Sequence, residues 1–250
     1  MSSTPRLDPV IAVAWGLEDR SRRGPKPSLT LEEIVDTAIE IADTDGLSAV
    51  SMARVAKSLG FTTMSLYRYV ASKDELVRHM VDAATGYPPD ADPAPTNWRQ
   101  GLELWARQML ERQMNRPWVV QVPITQPPLL PRNVAWIERA MGHLNNTPLE
   151  PLEKLSTLLL ISGYIRNEVS LSSSLSEDAR RDEAGIHYAE TLGRLIGPDS
   201  HPALTRLIGE GLFTLPPDRG SDDDDEFILD FGLQRILDGV ESLIADRQSP

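Results

Sequence analysis

The side chains best suited to contact nucleic acid are concentrated in one short segment that begins at Thr62. Hydroxyl and guanidinium groups of this kind hydrogen-bond to phosphate oxygens and to base edges. Thr62 can cap a helix whose Leu66 and Val70 point inward, which leaves the polar side chains on the other faces. These outward residues are Thr63, Met64, Ser65, Tyr67, Arg68 and Tyr69.

A second short helix precedes this one and is needed to position it. Ser51 is a plausible N-cap, and Gly60 ends the helix because glycine adopts the left-handed conformation without steric cost. The apolar face between them consists of Met52, Val55, Ala56 and Leu59. Two short helices joined by a tight glycine turn form a helix-turn-helix, in which the second helix enters the DNA major groove. The spacing is equally consistent with an ordinary helical hairpin in an all-α core.

Two further helices flank this pair and complete a compact module. Thr30 is predicted to cap the first and Ser72 the last, each with two acidic residues in the first turn that complement the helix dipole. The first helix buries a wide apolar stripe of Leu31, Ile34, Val35, Ala38, Ile39 and Ala42.

A basic segment, residues 20–27, lies just before the module. It holds four cations, two prolines and a glycine, and so it is not expected to be helical. An extended arm that follows phosphates or enters a minor groove is favoured, with Arg22, Arg23 and Lys26 as its contacts. The alternative is a solvated flexible leader.

The formal net charge of −12 is unevenly distributed along the chain. Residues 1–80 hold 10 Lys/Arg and 11 Asp/Glu, whereas the remainder holds 15 and 26. Within residues 46–80 alone there are 5 Lys/Arg and 2 Asp/Glu, so the field near the helix pair is mildly positive, and it is local charge that meets phosphate.

Several classes of protein are disfavoured by what the sequence lacks. It contains no cysteine, which excludes disulfides and thiolate metal sites and suits a reducing cytosol. No run approaches the roughly 18 apolar residues of a membrane span, and the first ten residues do not resemble a signal peptide. We expect a cytoplasmic protein.

The second half of the chain is also predicted to be helical, after a proline-rich linker at residues 85–96. We expect helices over residues 98–115, 134–144, 151–175, 179–196, 202–211 and 226–246, with a loop at 222–225 and no β-strand. The fold class is therefore all-α. The predicted domains are a leader with a basic arm (1–27), a three-helix helix-turn-helix domain (28–84), the linker, and a larger helical domain (97–250).

The last predicted helix carries an apolar seam with 4-3-4-3 spacing, formed by Leu229, Leu233, Ile236, Val240 and Leu243. Such a seam is typical of helices that pack at a shallow angle. Together with the helix over 151–175 it could form half of a four-helix bundle that a second copy completes. Burial within one subunit is nearly as consistent with the pattern.

Residues 30–80 contain Leu59-Gly60, then Leu66-Tyr67, then Lys73 and Leu76, and this order is supported by Ile34, Ala38, Leu47 and Met52. With these residues the segment resembles a known DNA-binding domain. It is that of the tetracycline-repressor (TetR) family of transcriptional regulators. Residues 97–250 resemble, more loosely, the helical ligand-binding and dimerisation domain of that family. The resemblance implies that Thr62, Thr63, Met64 and Ser65 face bases and that Tyr67 and Lys73 hold phosphates. It further implies that Arg68, Tyr69 and Arg54 lie within reach of the DNA.

The resemblance also implies a ligand pocket inside the second domain. Its candidate lining residues are Trp105, Met109, Trp118, Trp136, His143, Tyr164, Asn167 and His187. His143 and His187 lack a metal-ligand spacing, so a metal-assisted ligand is not supported. No cofactor is expected.

The resulting hypothesis is a ligand-responsive regulator, most simply a repressor, that binds a near-palindromic operator as a homodimer and is released by a small molecule. The alternatives are an activator with the same DNA-binding domain and a helical scaffold that contacts protein. The sequence has no Gly-rich phosphate loop, no Gly-x-Ser-x-Gly elbow and no His/carboxylate cluster, which disfavours an enzyme.

Overall fold

The computed structural model describes residues 9–17, 29–174, 182–211 and 221–248, which form twelve α-helices and no β-strand. The first five are α1 (Pro9–Ala14), α2 (Leu31–Asp45), α3 (Met52–Leu59), α4 (Thr63–Leu66) and α5 (Lys73–Thr85). The other seven are α6 (Trp98–Met114), α7 (Trp118–Gln121), α8 (Pro131–Leu144), α9 (Pro151–Ser174), α10 (Asp182–Leu195), α11 (Pro202–Gly209) and α12 (Ser221–Gln248). Within the described ranges no helix is both long and apolar enough to cross a bilayer.

The predicted helix boundaries near the helix-turn-helix are confirmed by their caps. Thr30 and Glu33 form a reciprocal capping box at the start of α2. Ser51 caps α3 by accepting from the Arg54 amide at 3.2 Å, and Ser72 caps α5. Gly60 has φ 73° and lies in the left-handed region, as expected for a glycine that ends a helix.

Two hydrophobic cores organise the chain. The first belongs to α2–α5, hereafter the reading head, and is centred on side chains with no exposed surface such as Ile34, Leu66 and Met80. The second lies among α6, α8, α9 and α12 and includes Trp136, Ile161 and Leu237. The chain is therefore an all-α protein with an N-terminal helix-turn-helix domain and a helical second domain.

The last helix differs from its prediction in two ways. It begins at Ser221, so the expected loop over residues 222–225 is wrong. Acidic residues are in general stabilising near a helix N-terminus, so an acidic run in the sequence does not by itself indicate a loop. Its buried stripe is Leu233, Leu237, Val240 and Ile244. Ile236 and Leu243, which were predicted to lie on the seam, are half-buried beside that stripe, and the side chain of Leu229 lies outside the described part.

Two short elements were not foreseen as helices. α7 forms inside the proline-rich stretch after α6, and its Trp118 and Val119 belong to the core of the reading head. α1 lies near the N-terminus, and the Trp15 indole donates to the Leu129 carbonyl at 2.7 Å in the loop before α8. The N-terminal segment is therefore bonded to the second domain.

Candidate nucleic-acid interface

The candidate reading surface is built on α4, which is held from within and capped from its own sequence. Leu66 and Val70 have no exposed surface and anchor it to the core of the head. The Thr62 hydroxyl accepts from the Ser65 amide at 3.3 Å and lies 3.0 Å from the Ser65 hydroxyl. The helix is only four residues long, so its position depends on these contacts more than on its own stability.

The predicted contact residues fall into two groups by exposure. Thr62, Met64, Tyr67, Arg68 and Lys73 are exposed, and Met64 is 73% exposed although it is apolar. Thr63, Ser65 and Tyr69 are half-buried, and Tyr69 packs partly against the core of the head. Tyr67, Arg68 and Tyr69 follow α4 in a turn, whereas the helix predicted from the sequence included them. Their roles in contacting DNA stay predictions.

Arg54 lies on the exposed face of α3 and forms an ion pair with Asp45 at the end of α2. Both side chains are 43% exposed, so the pair is well solvated and contributes little to stability. A phosphate at this position would compete with Asp45 for the guanidinium. Arg22, Arg23 and Lys26 of the predicted basic arm lie outside the described residues.

Three of the predicted ligand-lining residues, Trp105, Met109 and Trp136, lie together in the second core. The Trp105 and Trp136 rings meet edge to face with centroids 6.0 Å apart, and the Trp105 indole donates to the Trp136 carbonyl at 2.9 Å. The Trp136 indole donates in turn to the Gly86 carbonyl at 2.9 Å, in the linker that follows α5. Met109 is buried beside them. This group connects the second core to the linker.

His143 and Tyr164 each pack against a glycine of a neighbouring helix. A methyl group at residue 101 would collide with the His143 ring, and one at residue 232 would collide with the Tyr164 ring. Burial, with a smaller effect from Arg139, lowers the pKa of His143 and favours its neutral form. Burial first, and then the charges of Glu168 and Asp230, raise the pKa of Tyr164 to about 12.

The remaining three candidates lie away from the second core. Trp118 is buried in the core of the reading head, where its indole donates to Asp43 at 2.6 Å. Asn167 on α9 and His187 on α10 are exposed. Whether any of the eight residues binds a ligand stays a prediction.

Arg166 and Asp82 are among the buried or half-buried charged groups that sequence reasoning missed. Arg166 on α9 donates to the Val120 and Val122 carbonyls at 2.8 and 3.2 Å, and burial lowers its pKa. Asp82 on α5 is buried and accepts from the first turn of α8. Both charges were visible in the sequence, but their partners, some 45 to 50 residues away, were not.

Two open cavities lie elsewhere. A groove of about 800 Å³ runs between α9 and α12 and is lined by Leu152, Leu160, Ile236 and Leu243, among others. A polar crevice of about 640 Å³ lies between the head and α6 and includes Asp43, Arg112 and Arg116. None of the eight predicted ligand-lining residues borders either one. Among the described residues, no group of three or more His, Asp or Glu side chains is placed to hold a metal ion.

Both halves of the chain match known sequence families. The family described as "Bacterial regulatory proteins, tetR family" matches residues 34–80, and "Tetracyclin repressor-like, C-terminal domain" matches residues 92–244. A similar curated protein is the HTH-type transcriptional repressor DrrR1 of Streptomyces coeruleorubidus, 36% identical over 95% of this chain and 87% of that protein. An HTH-type transcriptional regulator of Saccharopolyspora erythraea is 29% identical over 71% of this chain and 73% of that protein.

Solved structures of ActR from Streptomyces coelicolor share the fold. The apo form has a TM-score of 0.68 and 26% identity, covering 88% of this chain and 100% of ActR. The complex with actinorhodin has a TM-score of 0.70 and 26% identity, covering 87% and 97%. With two matched domains, a helix-turn-helix head and curated repressors among its relatives, this chain belongs to the TetR family of DNA-binding transcriptional regulators, which are not enzymes.

Proposed function

We propose that this protein is a ligand-responsive transcriptional repressor that acts in the cytoplasm. As a homodimer it binds a near-palindromic operator, and a small-molecule effector releases it. The exposed residues of α4 and its flanks carry the proposal, since Met64 and Tyr67 project outward while the neighbouring Leu66 and Val70 are fully buried. The exposed positions beside this buried face also hold Thr62, Arg68 and Lys73, whose hydroxyl and cationic groups can bond to base edges and phosphates.

The proposed DNA contacts take their roles from the family resemblance, and the exposure of Thr62, Met64, Tyr67, Arg68 and Lys73 supports them. Thr62, Thr63, Met64 and Ser65 at the start of α4 face the base edges, and Tyr67 and Lys73 hold the phosphate backbone on either side. Arg54, Arg68 and Tyr69 add contacts at the rim. The leader with Arg22, Arg23 and Lys26 supplies an arm to the same DNA.

The proposed dimer is supported by an uncovered apolar face. Leu152 and Leu160 of α9 are 72% and 56% exposed, and they line the groove between α9 and α12 together with Ile236 and Leu243 of α12. An exposed apolar stripe on two adjacent long helices is well suited to a second copy, which presents the same stripe in a two-fold arrangement. The four helices would then form a bundle.

The effector is supported by the related structures and by the matched second domain. ActR was solved in complex with actinorhodin and with (S)-DNPA. Effector binding in the second domain would shift the population toward a state in which the two heads do not fit one operator. The predicted boundaries, residues 1–27, 28–84, 85–96 and 97–250, divide the chain between these tasks.

The proposal is tested by selecting bound sequences from a random duplex library and measuring their affinity by fluorescence anisotropy. We expect a near-palindromic sequence that binds two chains, and weaker binding when actinorhodin is added as a first probe of related chemistry. Thr63→Ala should change which sequence is preferred. Recovery of no preferred sequence would reject the proposal, whereas binding insensitive to actinorhodin would reject only that probe.

A further inference from the structure

Asp82 makes a set of contacts that joins the reading head to the second domain. Its Oδ1 atom accepts from the Arg132 amide at 3.1 Å, from the Asn133 amide at 3.0 Å and from the Asn133 side chain at 2.9 Å. Its Oδ2 atom lies 3.5 Å from the Arg132 guanidinium. The Asp82 side chain is only 5% exposed, so few of these bonds could be replaced by water.

Helix α8 needs this carboxylate because its own sequence provides no cap. Its N-cap position is Leu130, which has no side-chain acceptor, and its first residue is Pro131, which has no amide proton. The amides of Arg132 and Asn133 would otherwise be left without partners in a partly buried turn. Asp82 accepts from both, and its negative charge faces the positive end of the helix dipole.

The two partners belong to different domains. Asp82 lies near the end of α5, the helix on which the reading head ends, and α8 packs in the second core through Trp136, Ala140 and Leu144. The same helix also holds the linker after α5, since Trp136 donates to the Gly86 carbonyl at 2.9 Å and Arg139 to the Pro89 carbonyl at 3.0 Å. The end of α5 is thus fixed to α8 by consecutive contacts.

We infer that Asp82 is a positioning residue, which sets the orientation of the reading head by capping α8 of the second domain from the head's last helix. A displacement of α8 moves the carboxylate and with it the end of α5. The head then follows α8 as one body. This relation extends the proposed function, but it concerns the geometry of one chain and does not depend on the dimer, the operator or the effector.

The test measures the distance between head and second domain within one chain. The natural sequence has no cysteine, so Met64→Cys on α4 and Ser242→Cys on α12 give two unique spin-label positions, both exposed. Diluting the labelled chain with unlabelled protein leaves one labelled copy per assembly, so that only the intrachain distance is measured. The same result is then obtained from a monomer or a dimer.

We expect a narrow distance distribution in the otherwise unchanged chain and a broad one in Asp82→Ala. Hydrogen exchange of the Arg132 and Asn133 amides should become roughly fivefold faster in that variant, as for the loss of a helix cap. Asp82→Glu keeps the carboxylate but lengthens the connection by one methylene, and should shift the mean distance while the amides stay protected. If Asp82→Ala does not fold, Asp82→Glu decides the question.

Asn97→Ala is the matched control. Asn97 caps α6 by accepting from the Gln100 amide at 2.9 Å, so its loss also removes a cap, but one within the second domain. The distance distribution should be unchanged in this variant. A distribution that is unaltered in both Asp82 variants, or one that is broadened equally by Asn97→Ala, would overturn the inference.

Discussion

The indole N–H of Trp118 donates to the Oδ1 atom of Asp43 at 2.6 Å, which places a side chain from beyond α6 in the core of the reading head. The other carboxylate oxygen of Asp43 accepts from the Arg116 guanidinium at 3.1 Å. The head is therefore attached on two sides, at the end of α2 through Asp43 and at the end of α5 through Asp82.

Removing the indole donor should weaken the first attachment. Trp118→Phe retains most of the buried ring, and we expect the free energy of unfolding to fall by about 1 kcal/mol, because Asp43 is partly exposed and water replaces some of the lost bond. Urea denaturation measures this. Trp98→Phe is the control, since the Trp98 indole has no hydrogen-bond partner in the described part of the chain. An equal loss in both variants would contradict the assignment.

Loss of a phosphate contact should weaken binding to all DNA alike. We expect Lys73→Ala to lower affinity for every duplex and to reduce the salt dependence of binding by about one ion, and Tyr67→Ala to lower affinity without that change in slope. Anisotropy titrations at several salt concentrations measure both. Lys154→Ala removes the same charge from α9 and should have little effect. An unchanged non-specific affinity in Lys73→Ala and Tyr67→Ala would remove both residues from the interface.

A charge in the apolar groove should prevent dimer formation. Leu160→Glu places a carboxylate on the face that is proposed to be covered by the second copy, where burial of an unpaired charge is strongly unfavourable. Sedimentation velocity should give a dimer for the unchanged chain and a monomer for this variant. Ile124→Glu alters a side chain that is 70% exposed in the loop before α8, and this variant should remain dimeric. A Leu160→Glu dimer would place the interface elsewhere.

The close approach of α6 and α8 at Gly101 leaves no room for a side chain. Gly101→Ala should destabilise the protein by roughly 1–3 kcal/mol through overpacking against His143. His143→Ala in the same chain should recover part of the loss. Gly142→Ala, which would meet no neighbouring atom, should instead stabilise α8 by up to about 1 kcal/mol through helix propensity. Thermal or urea unfolding distinguishes the opposite signs, and additivity of the first two substitutions would refute the contact.

The raised pKa of Tyr164 predicts a loss of stability in alkaline solution. Its pKa rises from 10 to about 12, mainly through burial and then through Glu168 and Asp230, so the folded chain keeps a proton that the unfolded chain loses. The stability that this raised pKa provides is fully present below pH 10, and it is lost as the pH rises to about 12. Tyr164→Phe does not ionise there and should show a flatter decline of unfolding free energy over that interval. An identical decline in both proteins would show that Tyr164 has an ordinary pKa.

The features predicted correctly from sequence are mostly local ones. Ser51, Thr62 and Ser72 bond to amides three residues ahead, and Gly60 needs only its own backbone conformation, so short patterns suffice to identify them. The all-α fold and the exposed start of α4 follow from the same periodicity. The family resemblance added the expected roles of individual residues, which the geometry by itself does not supply.

The features that were missed depend on contacts distant in sequence. Trp118 was expected in the second domain because it follows α6, but its partner Asp43 lies 75 residues earlier. The seam of α12 was displaced because this helix has two apolar stripes, and single-sequence periodicity does not show which one a neighbouring helix covers. Sequence analysis did not single out Asp82, because its partners begin 50 residues later.

The missing cap of α8 has a consequence for domain exchange. A second domain given the head of another family member would contain a helix whose first amides have no acceptor, unless the new head carried a carboxylate at the position of Asp82. Recombination at the linker would therefore separate Asp82 from the α8 amides that it caps. Functional chimaeras should require the junction to lie before residue 82, within α5, so that the cap and the helix it completes are inherited together.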